Sequence, residues 1–484
     1  MIVRSGLPAV LVAAAFAVLL FGCGGPEQKS NAPSGGKTAG ESGEPGESVE
    51  SKQKEHRPNV VMIIVDTLRA DKLGCYGFEE DTTPELDALA RAGVLFTRPI
   101  AQCSWTRPSI ASMITSEYPR RLGLYDEQDE ILADRFVTLA EVLQANGYNT
   151  LGITANPVIN SVFNMDQGFD THFDSDVIFS WMQEDEDQVT ARRHRLSSAK
   201  ELFRTVLDEI SADSQGPHYV QINIMEMHEY WRQRYHLTRP EFRRYFRDSP
   251  NARYLQALRQ VSVDIKGFIE DWCNMSDVPG RSEWDDTLFI INSDHGQGLD
   301  DHPDVPHSGA HGRILYESQV VIPLILYHGG GKLGPAKIER PVRLLDIMPT
   351  VLDYLDIEGP EAMSGVSLMP LVEDDAAAVG LPENFITETE FRDFEKIAVY
   401  ADKWKYIENR DGHPRVNPRE LQPMGIKENG IRTDRIRQHP EIAERLAKAL
   451  HEWERAHPKA PPTRGTDDLS VEERRQLQAI GYLD

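Results

Sequence analysis

The stretch Asn59-Val60-Val61-Met62-Ile63-Ile64-Val65-Asp66 sets the fold class. Its apolar run lacks the polar alternation of a half-buried strand. Asn59–Val65 therefore reads as a strand covered on both faces, the signature of a parallel sheet. The run stops at Asp66, and open α/β sheets place ligands beyond the carboxyl ends of their strands.

Working outward, the same grammar repeats. Thr83-Pro84-Glu85 opens a helix, with Thr83 as N-cap, an apolar face at Leu86, Leu89 and Ala90, and Gly93 as the stop. Thr138–Asn146 predicts a second helix ended by Gly147, and Tyr148–Ala155 the next strand. Tyr219–Met225, Leu288–Asn292 and Pro323–Tyr327 are further apolar strands, and Leu344–Leu355 is helical. Strands alternating with helices predict an α/β fold, a mostly parallel sheet flanked by helices. From about residue 385 the texture changes: Asn384–Glu390 and Ile397–Glu408 predict antiparallel strands, and a charged helix follows over Pro440–His457. This predicts a smaller C-terminal α+β subdomain over 376–484, behind a main domain at 58–375. Gln183–His194 is charged and reads as a surface insertion.

The chain has 484 residues, 40% hydrophobic and 27% charged, a globular balance. Its formal net charge of −25 argues against nucleic acid as a partner. An anionic small substrate stays compatible with it, because a metal or local cations override the global field. Four cysteines, at positions 23, 75, 103 and 273, show no zinc spacing. If Cys23 is modified, the other three allow one pair and one free thiol, and small buried apolar roles suit them best.

At the N-terminus, Arg4 precedes the apolar run Leu7–Phe21 and then Gly22-Cys23. The run is short for a membrane span and suits a signal peptide over residues 1–23. Leu20-Phe21-Gly22-Cys23 resembles a bacterial lipobox, implying a lipid on Cys23 and a membrane-anchored location in the cell envelope, or secretion if Cys23 is not lipidated. Residues 24–57, rich in Gly, Ser, Glu, Pro and Lys, read as a disordered tether.

Four segments carry the chemistry. Val65-Asp66-Thr67-Leu68-Arg69 ends the first strand in a hard anionic ligand, and Thr67 adds a neutral oxygen. Asn292-Ser293-Asp294-His295-Gly296 ends another, with adjacent Asp and His able to turn toward one cation. Trp105-Thr106-Arg107-Pro108-Ser109-Ile110-Ala111-Ser112-Met113-Ile114-Thr115-Ser116 sets Thr106 just before a helix whose amides suit an anion. Glu226-Met227-His228 and His311-Gly312-Arg313-Ile314-Leu315-Tyr316-Glu317 supply two histidines. Taken singly, these residues read as caps or polar surface groups.

Together they resemble the sulfatase family of the alkaline phosphatase superfamily, over roughly residues 58–360. The resemblance implies Asp66, Thr67, Asp294 and His295 as metal ligands for Ca²⁺ or Mn²⁺, with Zn²⁺ also compatible with the imidazole. It implies Thr106 as nucleophile and His228 and His311 as contacts to an anionic ester. The chain departs from the family pattern in several places. Thr106 stands for the Cys that becomes formylglycine, Ile110 for Arg, Ser116 for Gly and His311 for Lys. The strand after Gly147-Tyr148, where the family carries a Lys or His, reads Ile153-Thr154-Ala155-Asn156, with no cation. Threonine cannot become formylglycine, so the resemblance implies a metal-dependent hydrolase or transferase of phosphate or sulfate esters working through Thr106. The alternative is an inactive sulfatase-like binding lipoprotein.

Overall fold

The computed structural model describes residues 57–125, 130–175, 198–212, 216–228, 230, 238–275, 284–302, 305, 309–374, 380–414, 416–425 and 434–463. The signal peptide with Cys23, the tether and the Gln183–His194 insertion lie outside them.

The strands are β1 (Asn59–Val65), β2 (Val94–Phe96), β3 (Pro99–Ile100), β4 (Asn149–Thr154), β5 (Thr171–Phe173), β6 (His218–Ile224), β7 (Thr287–Asn292), β8 (Leu324–His328), β9 (Ala336–Ile338), β10 (Val342–Arg343), β11 (Phe385–Phe391), β12 (Phe394–Ala401), β13 (Trp404–Asn409) and β14 (Arg419–Pro423). The helices that position the site are α1 (Pro84–Ala92), α2 (Thr106–Thr115), α3 (Leu139–Ala145), α4 (Ala199–Ala212), α5 (Ala252–Cys273), α6 (Ile347–Tyr354) and α7 (Pro440–Ala456).

Eight strands form one sheet in the order β5-β4-β6-β1-β7-β8-β2-β9. The run from β5 to β7 is parallel, and β8 is antiparallel to both its neighbours, β7 and β2. All seven β1 residues are buried, as their unbroken apolar run requires. Val60, Met62 and Ile64 pack toward α2, α3 and α6, while Val61, Ile63 and Val65 pack toward α1, α4 and α5. Each such side chain contributes about 1.5–3 kcal/mol of burial, which makes β1 the centre of both cores. The ends of β4, β6, β1 and β7 lie along one edge, so the loops carrying Asn156, His228, Asp66 and Asp294 converge there.

Strands β11–β14 make a separate antiparallel sheet covered by α7, with Leu446 and Leu450 packed on Val399, Tyr406 and Leu421. Ile397–Glu408 is therefore two strands rather than one. Asp402, at φ 53°, turns the chain between Ala401 and Trp404. The buried Arg120, on the short helix Pro119–Leu122, pairs with Glu388 of β11 at 2.9 Å and Glu454 of α7 at 3.1 Å, holding that helix against the small sheet and its cover. The thiols of Cys75, Cys103 and Cys273 are free, so the pairing the sequence allowed is not formed among them. Among the described residues no helix is long and apolar enough to cross a membrane.

Candidate active site

Asp66 leaves β1 and Thr67 follows at φ 58°, a left-handed turn that sends the chain sideways across the sheet edge. The Thr67 hydroxyl donates to the Asp66 carbonyl (2.7 Å), and its amide donates to Asp294 Oδ1 (3.3 Å). Thr67 thus meets the site through its backbone. Ser293 Oγ, 2.7 Å from the carbonyls of Val65 and His295 and accepting from the Leu68 amide at 2.9 Å, ties the β1 and β7 loops together. Arg69 ties them a second time. It is buried, paired with Asp71 at 2.7 Å and Asp301 at 2.5 Å, and donates to the carbonyls of Gln297 and Gly298.

Asp66, Asp294 and His295 come together as one buried group whose ligand atoms all lie within 4.8 Å of one another. Asp66 Oδ2 accepts from the Asn156 amide, and Asp294 Oδ1 accepts from the His295 amide at 2.9 Å. The second oxygen of each carboxylate, Asp66 Oδ1 and Asp294 Oδ2, is buried with no hydrogen-bond donor. Burial, and then the like charge of the neighbouring Asp294, pushes the Asp66 carboxyl up to about 6. Burial likewise raises Asp294 to about 6. Two orphaned buried oxygens facing an imidazole nitrogen form a donor set that a divalent cation satisfies. The His295 Nδ1 lies 2.9 Å from the Gly296 carbonyl, which only accepts, so that nitrogen carries the proton. The Nε2 lone pair consequently faces the cluster.

Thr106 is the first residue of α2, not the residue before it, and Trp105 is the N-cap with no side-chain cap bond. The helix's positive end is thereby left open toward the cluster. The Thr106 hydroxyl lies 3.1 Å from His295 Nε2 and 3.4 Å from Asp66 Oδ2. Ser109 fixes the helix by donating to the Asp294 carbonyl at 2.6 Å. Arg107 turns away, donating to the Val158 carbonyl with its guanidinium 3.5 Å from the Phe163 ring. Ile110 is fully buried in the core against β1, so no charge enters the site from that position. Ser116, where the family pattern has Gly, takes φ 57°, the left-handed conformation glycine favours.

The two histidines also arrive. The His311 ring stacks on His295 at 4.7 Å and lies 5.1 Å from His228. Burial, reinforced by the neighbouring His295 and His228, holds His311 well below its ordinary value, and burial lowers His295 as well. The lowered values favour the neutral imidazole for both. The structure thus collects Asp66, Thr67, Thr106, His228, Asp294, His295 and His311 at one place.

Sequence reasoning did not single out Asn156, Gln297 or Phe391. Asn156 uses Oδ1 to cap the Val158 amide (3.0 Å), which aims its NH₂ at Asp66. Its place at the end of a parallel strand was the available signal. Gln297 lies 3.2 Å from His311 Nδ1. Phe391, from the hairpin of the small sheet, sits 5.5 Å from Trp105 and 6.5 Å from His311.

Glu226, just after β6, is buried, with Oε1 accepting from the first amide of α4 and Oε2 unpartnered. Burial pushes its carboxyl up to about 8. The native chain therefore holds a proton that the unfolded chain releases above about pH 4.5. This contribution to stability falls as pH rises from about 4.5 to 8. Glu226→Gln should match wild type near pH 5 and melt at a higher temperature at pH 9. Parallel melting curves across that range would refute the assignment.

A family model described as Sulfatase matches residues 58–357. Arylsulfatase A of Homo sapiens is 42% identical over 98 residues, which span 19% of this chain and 19% of that protein. The ulvan-active sulfatase of Formosa agariphila is 23% identical over 362 residues, covering 68% of this chain and 67% of its own length. Among solved structures, a phosphonate monoester hydrolase of Agrobacterium radiobacter superposes with a TM-score of 0.61 at 19% identity, covering 83% of this chain and 96% of that one.

Proposed function

Since the chain belongs to the sulfatase family, we propose that it is an ester hydrolase or transferase acting on phosphate or sulfate esters outside the cytoplasm, with Thr106 as nucleophile. The observation that carries this is the Thr106 hydroxyl 3.1 Å from His295 Nε2 and 3.4 Å from Asp66, beside two orphaned carboxylate oxygens. Asp66, Asp294 and His295 would hold a divalent cation, Ca²⁺ or Mn²⁺ with Zn²⁺ also compatible, which when bound supplies Lewis-acid charge stabilisation and a lowered hydroxyl pKa.

The choice between phosphorus and sulfur follows from Thr106 itself. Formylglycine hydrate carries two hydroxyls and expels sulfate by returning to the aldehyde. Threonine carries one, so its ester must be cleaved by a second attack on the central atom. Phosphorus accepts two successive in-line displacements. Thr106 Oγ1 bonds to phosphorus as the bond to the leaving oxygen breaks, and water or an alcohol then displaces Thr106. The helix α2 amides face the anion, and His228 and His311 offer hydrogen bonds to its oxygens. The fold shared with the phosphonate monoester hydrolase agrees with phosphoryl chemistry. Ile110 and Asn156 leave the nucleophile side without a cation, which suits a singly charged diester or phosphonate monoester. The same loss favours the second reading, an inactive binding lipoprotein. We read 58–375 as the catalytic domain and 376–484 as its α+β companion, held at the envelope by a lipid on Cys23 and the 24–57 tether.

The test is a panel of phosphodiester, phosphonate, phosphomonoester and sulfate esters with added Ca²⁺ or Mn²⁺, followed by mass spectrometry of the acid-quenched enzyme. Turnover of a phosphorus ester with a phosphate-sized adduct on Thr106 is expected. Absence of turnover across the panel would favour the inactive reading.

A further inference from the structure

Of the three residues read as cation ligands, Asp66 is braced differently from the other two. Asp294 Oδ1 accepts from two backbone amides, those of His295 at 2.9 Å and Thr67 at 3.3 Å. His295 Nδ1 meets the Gly296 carbonyl at 2.9 Å. Backbone groups therefore fix which atom each of these residues presents, Asp294 Oδ2 and His295 Nε2. Among the described residues the Asp66 carboxylate has side-chain partners only. Its Oδ2 accepts from the Asn156 NH₂ and lies 3.4 Å from the Thr106 hydroxyl, and its Oδ1 is the oxygen left over.

Asn156 reaches this place from another strand, with its amide already oriented. Asn223 of β6 pairs with Thr154 of β4 on one side and with Ile64 of β1 on the other. Asn156 and Asp66, each two residues further on, are thereby level at the sheet edge. Asn156 is buried and caps the short turn Pro157–Ile159. Its Oδ1 accepts from the Val158 amide at 3.0 Å, and its own backbone amide donates to Thr154 Oγ1 at 2.8 Å. A backbone amide only donates, so Oδ1 is the atom that must meet Val158, and the NH₂ is left to face Asp66.

We propose that Asn156 is a positioning residue of the cation site. By engaging Asp66 Oδ2 it leaves Oδ1 as the one oxygen that this carboxylate offers to a divalent cation. The donor is neutral. A protonated lysine at the same place would compete with the cation for the Asp66 charge, and the amide does not. Thr106 meets the same Oδ2, so one amide sets both the ligand and a neighbour of the nucleophile. Groups that orient a ligand in this way govern metal affinity by about ten- to a hundredfold. The inference rests on reading Asp66, Asp294 and His295 as the cation ligands.

Calorimetric titration of Mn²⁺ and of Ca²⁺ into chelator-stripped full-length protein reads the cation Kd without any turnover. Two substitutions separate the donor from the cap. Asn156→Ser keeps an oxygen able to cap Val158 but is too short to reach Asp66 as well, and Asn156→Ala loses both. Both variants should bind the cation about ten- to a hundredfold more weakly than wild type, the equivalent of about 1.4–2.8 kcal/mol. In chelator the alanine variant should melt below the serine variant, which reports the cap separately. A serine variant with the wild-type Kd beside a weakened alanine variant would reduce Asn156 to a cap and overturn the inference, as would wild-type affinity in both. Wild type that binds neither cation would overturn the ligand set itself, and this inference with it.

Discussion

Replacing Thr106 by alanine should lower kcat for the preferred ester by about a thousandfold or more, about 4 kcal/mol of lost barrier reduction. The reason is local. Thr106 is the hydroxyl placed within hydrogen-bonding distance of both His295 and Asp66. The fold should survive, because α2 is held elsewhere by Ser109 on the Asp294 carbonyl and by Ile110 in the core. Divalent-cation binding should also persist, since the proposed ligand set is Asp66, Asp294 and His295, whose ligand atoms lie within 4.8 Å of one another. Thr106→Ser should keep a measurable rate. Steady-state kinetics beside a cation-dependent melting curve separates the outcomes. Wild-type rates in the alanine variant would remove Thr106 from the mechanism.

The second large effect belongs to Asp294. Asp294→Asn should abolish cation-dependent activity and cation-dependent stabilisation together. Chelation should lower the wild-type melting temperature by a few degrees, since a cation at about a hundred times its Kd contributes about 2.7 kcal/mol. The variant should show no such drop.

The cation-free comparison runs the other way. In the folded protein burial raises Asp294 to about 6, above its ordinary value of 3.8. Folding therefore favours the protonated carboxyl. Cation-free wild type loses stability as pH rises through the window from about 4 to 6 and bears the full cost above it. Asparagine carries no such charge, so at pH 8 the cation-free variant should melt above cation-free wild type. Scanning calorimetry with and without chelator reads both effects. An Asp294→Asn protein that keeps its cation-dependent shift would take Asp294 out of the ligand set.

Much of the site was legible because its parts are local. A β-branched run ending in Asp66, and another ending in Asp294-His295, carry their burial and their terminal ligands within a few residues. The helix start at Thr138 was legible for the same reason, and its side chain does accept from the Glu141 amide at 3.1 Å. What escaped depended on distant partners. The division of Ile397–Glu408 at Asp402 arises when the sheet pairs β12 with β13, and no apolar period marks it. Asn156 becomes a partner of Asp66 only when β4, β6 and β1 align in register.

The family resemblance was what grouped Asp66, Asp294 and His295, while the local alphabet of apolar runs, caps and strand-end acids was enough for the fold class and for a helix beginning beside Thr106. Such features depend on neighbours within one turn or one strand, where burial and backbone hydrogen bonding act directly on the chain. Contact between Thr106 and His295, 189 positions apart, needed the assembled sheet. So did the delivery of Phe391 to the His311 loop by the small antiparallel sheet. Those pairings are fixed by the packing of two cores and by the Arg120–Glu388 pair between the Pro119–Leu122 helix and the small sheet. Packing of that kind is a property of the closed molecule, in which side chains remote in sequence are desolvated together.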